Sequence, residues 1–300
     1  MLETAKKQTL TEQKFVYKRR MKPGERRDLW ISRFIIWIFL FAAIFPIISI
    51  VFSSLSTGDA FFSDSFFPKQ ITFKNYTALF DGSLNGTMNF GKCLLNSLEL
   101  CFFVVIIQVF MTGTSSYAFS RMKFKGRKYG LMSLLIIQMF PMMMTVGAVY
   151  IMLYMFHVMD KIWALSLFLA GGSAFNIWLM KGFIDGLPRE LDEAAMVDGA
   201  THWQVFTKVI VPLAKPMFAV ILLFCFMGAY SEYVFSSVAL TDPNNYTVAV
   251  ALQQFISNQM NQHWTQFSAA AVIASVPQVI IFLFLQKFLQ GGLTAGAVKG

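Results

Sequence analysis

From Phe34 to Leu55 the chain carries no charged residue, and the same holds from Leu100 to Ser120, Tyr129 to Met159, Ile162 to Met180 and Phe267 to Leu285. A sixth run, Pro216 to Leu240, is broken only by Glu232. An α-helix rising ~1.5 Å per residue needs ~20 apolar residues to cross ~30 Å of hydrocarbon. Runs of this length exclude an ordinary soluble domain, and a composition that is 56% hydrophobic and only 14% charged agrees. The expected fold is an all-α polytopic membrane protein with six transmembrane helices within residues 31–290. Residues 1–30 form a basic segment before it, and residues 291–300 form a tail after it.

The placement of Lys and Arg orients these spans. Lys6, Lys7, Lys14, Lys18, Arg19, Arg20, Lys22, Arg26, Arg27 and Arg33 precede or open the first run, and "RMKFKGRK" follows the second. The alternate connections are poor in Lys and Arg, and residues 239–266 hold none. Basic residues collect on the cytoplasmic side, so both termini, residues 121–128 and residues 181–215 are expected there. The net charge of +9 therefore reports topology and contact with membrane lipids, not nucleic-acid binding. The first apolar run is too long for a cleaved signal peptide, and no small-residue cleavage pattern follows it.

Catalytic chemistry has little to work with. Cys93, Cys101 and Cys225 lack paired spacing, and His157, His202 and His263 fall in three separate connections, so no metal site is expected. No G-x-x-x-x-G-K-[ST] phosphate loop occurs, so any nucleotide is expected on another polypeptide. Glu99 and Glu232 lie in or beside apolar runs, where an acid is costly unless paired or wet, and each is a polar candidate. Both fall near the outer ends of their spans. Pro46, Pro141 and Pro277 lie within spans and are expected to kink them.

The segment Pro188 to Pro212, "PRELDEAAMVDGATHWQVFTKVIVP", interrupts this pattern between the fourth and fifth spans. Pro188 at a first helical position, followed by Glu190, Asp192 and Glu193, predicts a helix starting at Pro188. Gly199 supplies a left-handed stop, and Thr201 with Gln204 has capping-box spacing, so a second helix is expected over His202–Val211, ended by Pro212. Leu191, Ala194 or Ala195, and Asp198 recur at helical spacing, and the adjacent alanines allow close backbone approach. Such a face suits docking into a partner's groove. An interfacial helix lying on lipid headgroups is the alternative, but that type is rich in Lys and Arg rather than acids.

Glu193-Ala194-Ala195, three residues, Gly199, nine residues and Val209-Ile210-Val211-Pro212 resemble the EAA signature of the permease subunits of binding-protein-dependent ABC importers (EAA, x3, G, x9, I-x-L-P). Val209 and Val211 are conservative departures. "SYAFSRMKFKG", "IIQMFP", "NYTVAVALQQF" and "GGLTAGAVKG" extend the likeness along most of the chain and resemble the smaller permease of maltose and maltodextrin importers. The resemblance implies a type I importer permease in a bacterial inner membrane, pairing with a second permease and with two cytoplasmic ATPases that bind ATP and Mg. The chain itself would bind no cofactor and catalyse no reaction.

By the same resemblance, Glu193, Ala194, Ala195, Gly199, Pro212, Leu191 and Asp198 couple to the ATPase. The outer stretch holding Asn245, Tyr246, Thr247, Gln253 and Gln254 would reach into an extracytoplasmic sugar-binding protein and promote sugar release. The C-terminal tail would insert between the ATPases. The imported compound would be an oligosaccharide, with maltodextrin foremost. An ion-coupled carrier and a membrane-embedded enzyme are rival classes; the first calls for midplane ionisable groups or repeated broken helices and the second for clustered catalytic side chains.

Overall fold

The computed structural model describes residues 23–58, 67–80, 88–257 and 263–297. Among these, all regular structure is helical. The chain divides into two units, residues 1–49 and 50–300, and the described part of the first is most of helix α1 (Pro23–Ser54). That helix is apolar on every side beyond its basic start, with Trp30, Phe34, Trp37, Phe39 and Phe41 all exposed, as expected of a helix whose neighbours are lipid or other chains.

The second unit is organised around one long helix. After the short α2 (Lys74–Thr77), helix α3 (Phe90–Arg121) starts where the Asn89 side chain accepts the Lys92 backbone N–H at 3.2 Å. Its 32 residues span ~48 Å, so both ends stand beyond a ~30 Å hydrocarbon layer. Its buried side runs through Cys93, Ser97, Leu100, Val104, Gln108, Thr112 and Ser116 to Ser120, at helical spacing. The polar members suit a membrane helix that packs on other helices, because small and hydrogen-bonding side chains let backbones approach. At Gly113 an added Cβ would meet the Phe218 ring at 3.0 Å, so α3 and its neighbour are in close contact there.

Around α3 the expected spans are mostly broken. The third run divides into α4 (Arg127–Gln138) and α5 (Met142–Met155), bent by 89°. Pro141 sits at that break, since it lacks the N–H that a continuous helix needs. The fourth run divides into α6 (Ile162–Ala170) and α7 (Ala174–Asp185), bent by 50° at Gly171-Gly172. Freed backbone groups at this break find partners: Leu169 C=O accepts from Gln108 Nε2, while Gln138 donates to Gly172 C=O and accepts the Phe175 N–H, each at 3.1 Å. Broken helices are tolerated at membrane depth only where such partners exist.

The later helices are α8 (Glu190–Val197), α9 (His202–Val205), α10 (Val211–Leu213), α11 (Lys215–Tyr230), α12 (Val234–Ala239), α13 (Val248–Gln254) and α14 (Trp264–Ala297). Among the described residues, only α1, α3 and α14 contain single stretches long and apolar enough to span alone; counting each bent pair as one span brings the number to as many as six. Pro46 and Pro277 lie inside helices that continue through them, so Pro141 alone of the three marks a break. The first unit's helix already includes residues 23–30, and α14 continues to Ala297, so neither expected segment boundary coincides with a helix end. Residues 1–22 and 298–300 lie outside the described residues.

Two buried clusters flank the length of α3. One joins Phe90, Leu100 and Val104 to Leu165, Phe235, Leu240 and Ala269. The other joins Tyr117 to Met180, Ile184, Val205, Phe206 and Ile210, beneath the helix pair α8 and α9. Cys93, Cys101 and Cys225 are buried free thiols, in keeping with a packing role.

Candidate functional site

The helix–turn–helix is built by its caps. α8 begins at Glu190, two residues after the expected Pro188: Asp192 N–H and Glu193 N–H close its first turn on Arg189 C=O at 3.0 Å, while Leu187 C=O accepts Arg121 Nη2 at 2.9 Å. At its end Gly199 has φ +85°, its N–H bonds Met196 C=O, and Ala200 N–H bonds Ala195 C=O, both at 3.0 Å. Those two bonds define a Schellman motif, which favours glycine at the left-handed position. The capping box is present: Gln204 N–H donates to Thr201 Oγ1 at 3.3 Å, and Thr201 N–H donates to Gln204 Oε1 at 2.8 Å.

The second helix departs from expectation beyond Val205. Phe206–Ile210 form a π-turn in which Val211 N–H reaches Phe206 C=O, and the helical path continues through Pro212 to Leu213. A proline cannot join the ordinary ladder and crowds the carbonyl four residues back; one wider turn relieves both. The change of direction falls at Ala214 instead, where the path bends by 83° into α11.

A buried ion pair absent from the sequence reading ties this hairpin to the body. Arg121, the last residue of α3, pairs through Nε with Asp192 Oδ2 of α8, and their side chains are only 4% and 7% exposed. Around it, Ser120 donates to Asp185 Oδ1 at 2.6 Å, and Lys181 Nζ holds Asp185 Oδ2 at 2.5 Å. The Tyr117 hydroxyl lies 3.4 Å from His202 Nδ1, and its ring packs on Phe206. Arg121 and Tyr117 were visible in "SYAFSR", but their role needed the partner helix to be placed.

With Asp192 turned inward, the exposed side of α8 is settled. Glu190, Glu193, Ala194 and Val197 form one exposed stripe, with Val197 87% exposed. Leu191 (41%) borders it and Asp198 is exposed at the C-cap. Ala195 is half-buried against the cluster beneath, so of the two alanines Ala194 is the one open to a partner. Pro212 is exposed. Beside the hairpin a cleft of about 590 Å³ is lined by Arg121, Lys123, Arg189, Asp192, Glu193 and His202, among others.

At the other end of α3 the stretch from Thr241 to Val248 is held down by side chains of α3 and by Asp160. Asn96 Nδ2 donates to Asn244 C=O at 2.9 Å and to Tyr246 C=O at 3.0 Å, and Ser97 Oγ accepts Val248 N–H at 2.7 Å. Asp160 adds a second clamp: Oδ1 accepts Thr241 N–H at 2.6 Å and Asp242 N–H at 2.8 Å, and Oδ2 accepts the Thr241 hydroxyl at 2.7 Å. Burial pushes the Asp160 carboxyl up, but these bonds and one from Asn245 outweigh it and hold it below its ordinary value. Thr247 is buried, Gln253 half-buried and Gln254 exposed. Residues 258–262 of this stretch lie outside the described residues.

The two span acids differ. Glu232 sits in the break between α11 and α12 and accepts Phe235 N–H at 2.7 Å, Ser236 N–H at 2.9 Å and the Ser236 hydroxyl at 2.5 Å. From the position before the N-cap, Tyr233, its carboxylate satisfies N–H groups at the start of α12, which explains how an acid is accommodated there. Glu99 is exposed on α3 between Leu95, Phe102 and Phe103, which are also exposed.

Apolar helices broken and re-partnered around one central helix, with a braced and capped hairpin at one end, define an integral membrane protein of the transporter type. The family model described as "Binding-protein-dependent transport system inner membrane component" matches residues 109–294. The chain belongs to this family and is a permease subunit of a binding-protein-dependent importer. It is 37% identical over 258 residues to the maltodextrin transport system permease protein MdxG of Bacillus subtilis (strain 168), covering 86% of this chain and 91% of that one. The galactooligosaccharides transport system permease protein GanQ of the same organism is 35% identical, covering 86% and 90%. The maltose/maltodextrin transport system permease protein MalG of Escherichia coli (strain K12) is 34% identical, covering 92% and 98%.

Among solved structures, a chain of a bacterial ABC transporter involved in the import of the acidic polysaccharide alginate superposes with a TM-score of 0.74 at 24% identity, covering 90% of this chain and 99% of that one. A chain from a bacterial alginate ABC transporter structure, in complex with an alginate pentasaccharide-bound periplasmic protein, has a TM-score of 0.62 at 17% identity, covering 87% of this chain and 93% of that one. At these identities the likeness is one of fold. Family membership answers the ion-coupled carrier and membrane-enzyme alternatives.

Proposed function

We propose that this chain is half of the translocation path of an ATP-driven oligosaccharide importer, with maltodextrin its foremost cargo. A second permease completes the path, and two cytoplasmic ATPase subunits bind ATP and Mg and carry out the hydrolysis. The observation that carries this reading is the braced hairpin. A short helix whose exposed stripe is Glu190, Glu193, Ala194 and Val197 is clamped to the end of α3 by Arg121 and Asp192. An apolar residue as exposed as Val197, beside small and acidic ones, suits a groove on a soluble partner. Because the clamp is buried, movement of the docked helix is transmitted to α3 instead of being absorbed by a flexible loop.

In this reading Glu193 makes the polar contact, Ala194 the close approach and Gly199 the turn, while both termini and the hairpin face the cytoplasm. The outer stretch from Asn245 to Gln254 forms part of the surface that meets the sugar-loaded binding protein. Its clamps to Asn96 and Asp160 make it a fixed platform, so sugar release would follow from motion of the whole body. The cargo rests on the maltodextrin relatives, and another oligosaccharide is the alternative suggested by the galactooligosaccharide relative.

The test is uptake of labelled maltodextrin by vesicles holding the assembled transporter and its binding protein, with and without excess unlabelled galactooligosaccharide. Glu193→Lys and Gly199→Pro should each lower uptake by tenfold or more and uncouple ATP hydrolysis from the binding protein. Wild-type uptake with coupling intact in both variants would remove the coupling assignment. No uptake of labelled maltodextrin, with labelled galactooligosaccharide taken up in its place, would reassign the cargo.

A further inference from the structure

A cleft of about 790 Å³ opens between α4 and α7, beside the basic connection that follows α3. Its rim carries Arg127, Lys128 and Lys181 against a single carboxylate, Asp185. Two nitrogens of Arg127 are taken by the Phe119 and Ser120 carbonyls, at 2.9 and 2.8 Å, which fixes that guanidinium in place. Lys181 is held by Asp185, and Lys128 lies 5.2 Å from the centre of the Tyr129 ring. Below this rim the walls are apolar: Leu131 and Leu135 on one helix, Trp178 on the other, and Phe119 behind them. From Lys128 to Leu135 the wall descends ~10 Å along α4.

We propose that this cleft binds an anionic phospholipid, with its phosphate at the Lys128 and Lys181 rim and an acyl chain against Leu131, Leu135 and Trp178. A free phosphate would use only the rim, whereas a zwitterionic lipid would gain little from three cations facing one carboxylate. Basic pockets between helices at a membrane surface bind anionic headgroups for this reason, and exposed Tyr129 and Trp178 belong at the same headgroup level. The proposal rests on membrane embedding and the cleft, and does not depend on the cargo.

The measurement is native mass spectrometry of the assembled transporter in neutral detergent, titrated with phosphatidylglycerol, phosphatidylcholine or inorganic phosphate. Phosphatidylglycerol should be retained at least tenfold more tightly than phosphatidylcholine, and phosphate should not displace it. Lys128→Gln combined with Lys181→Gln should remove that preference by about tenfold. Gly182→Leu supplies a fold-safe variant, because a Cβ there meets nothing within 4 Å and leucine favours a helix over glycine, yet its side chain would fill the cleft. It should lower retention of phosphatidylglycerol while leaving the thermal midpoint unchanged or raised. Equal retention of the two lipids, displacement by phosphate, indifference to Gly182→Leu, or binding by the lone chain that vanishes on assembly would each overturn the site.

Discussion

The two ends of α3 hold polar segments by different means. At one end Arg121 and Asp192 form a single buried charge pair that carries the hairpin; at the other, Asn96, Ser97 and Asp160 share the outer stretch among several hydrogen bonds, the Asp160 ones exposed. A buried ion pair is strong evidence of position and weak evidence of stability, since loss of either partner strands the other charge. The exposed Asp160 bonds fail by degrees, because solvent replaces each lost partner. The Arg121 end should therefore behave as a rigid, all-or-none coupling and the Asp160 clamp as a graded one.

Breaking the Arg121–Asp192 clamp should give the largest effect. Asp192→Ala leaves Arg121 buried and unpaired, and a loss of about 3–5 kcal/mol is expected in chemical or thermal unfolding of the assembled transporter. Arg121→Met with Asp192→Leu should restore much of that stability. If the single variant unfolds like the wild type, the contrast between the ends disappears.

The Asp160 clamp should yield more gently. Asp160→Ala removes the acceptor of the Thr241 and Asp242 N–H groups, and their hydrogen exchange should quicken by about tenfold, with the global midpoint little changed. The same clamp has a pH signature. Because the folded carboxyl lies below its ordinary 3.8, its stabilisation is complete above that value and lost as pH falls through the folded one. Protection at Thr241 should be flat from pH 7 to about 5 and fall only in more acid solution. A loss near neutrality would assign the clamp to another group.

The smallest effect should come from the hairpin's own cap. Thr201→Ala removes one side-chain acceptor at the start of α9, at a cost of about 1 kcal/mol. Exchange at Gln204 N–H reports it directly. An effect as large as that of Asp192→Ala would mean that local capping, not the buried pair, holds the hairpin.

Much of this protein could be read along the chain. Span composition, basic residues in the loops, the Gly199 turn and the Thr201 capping box depend on residues close in sequence, and each appears where expected except that bends divide several spans. Pro141 signals its own break, because a missing N–H is a local fact. Gly171-Gly172 was passed over inside an uncharged run, since hydropathy counts charge and not continuity of the helix.

What the chain alone determined was its class: lengths without charge require a membrane, and the spacing from Glu193 to Pro212 marks the family. What only the tertiary structure decided is which side of each element is used. Asp192 looked like one more acid at a helix start, and became a buried anchor only when Arg121, far away in sequence, was brought beside it. Nothing near Asn245 and Tyr246 in sequence shows that Asp160 and Asn96 hold their stretch in place. Periodicity states which residues share a face, but burial of that face depends on which helix packs against it, and that is a long-range property of the fold.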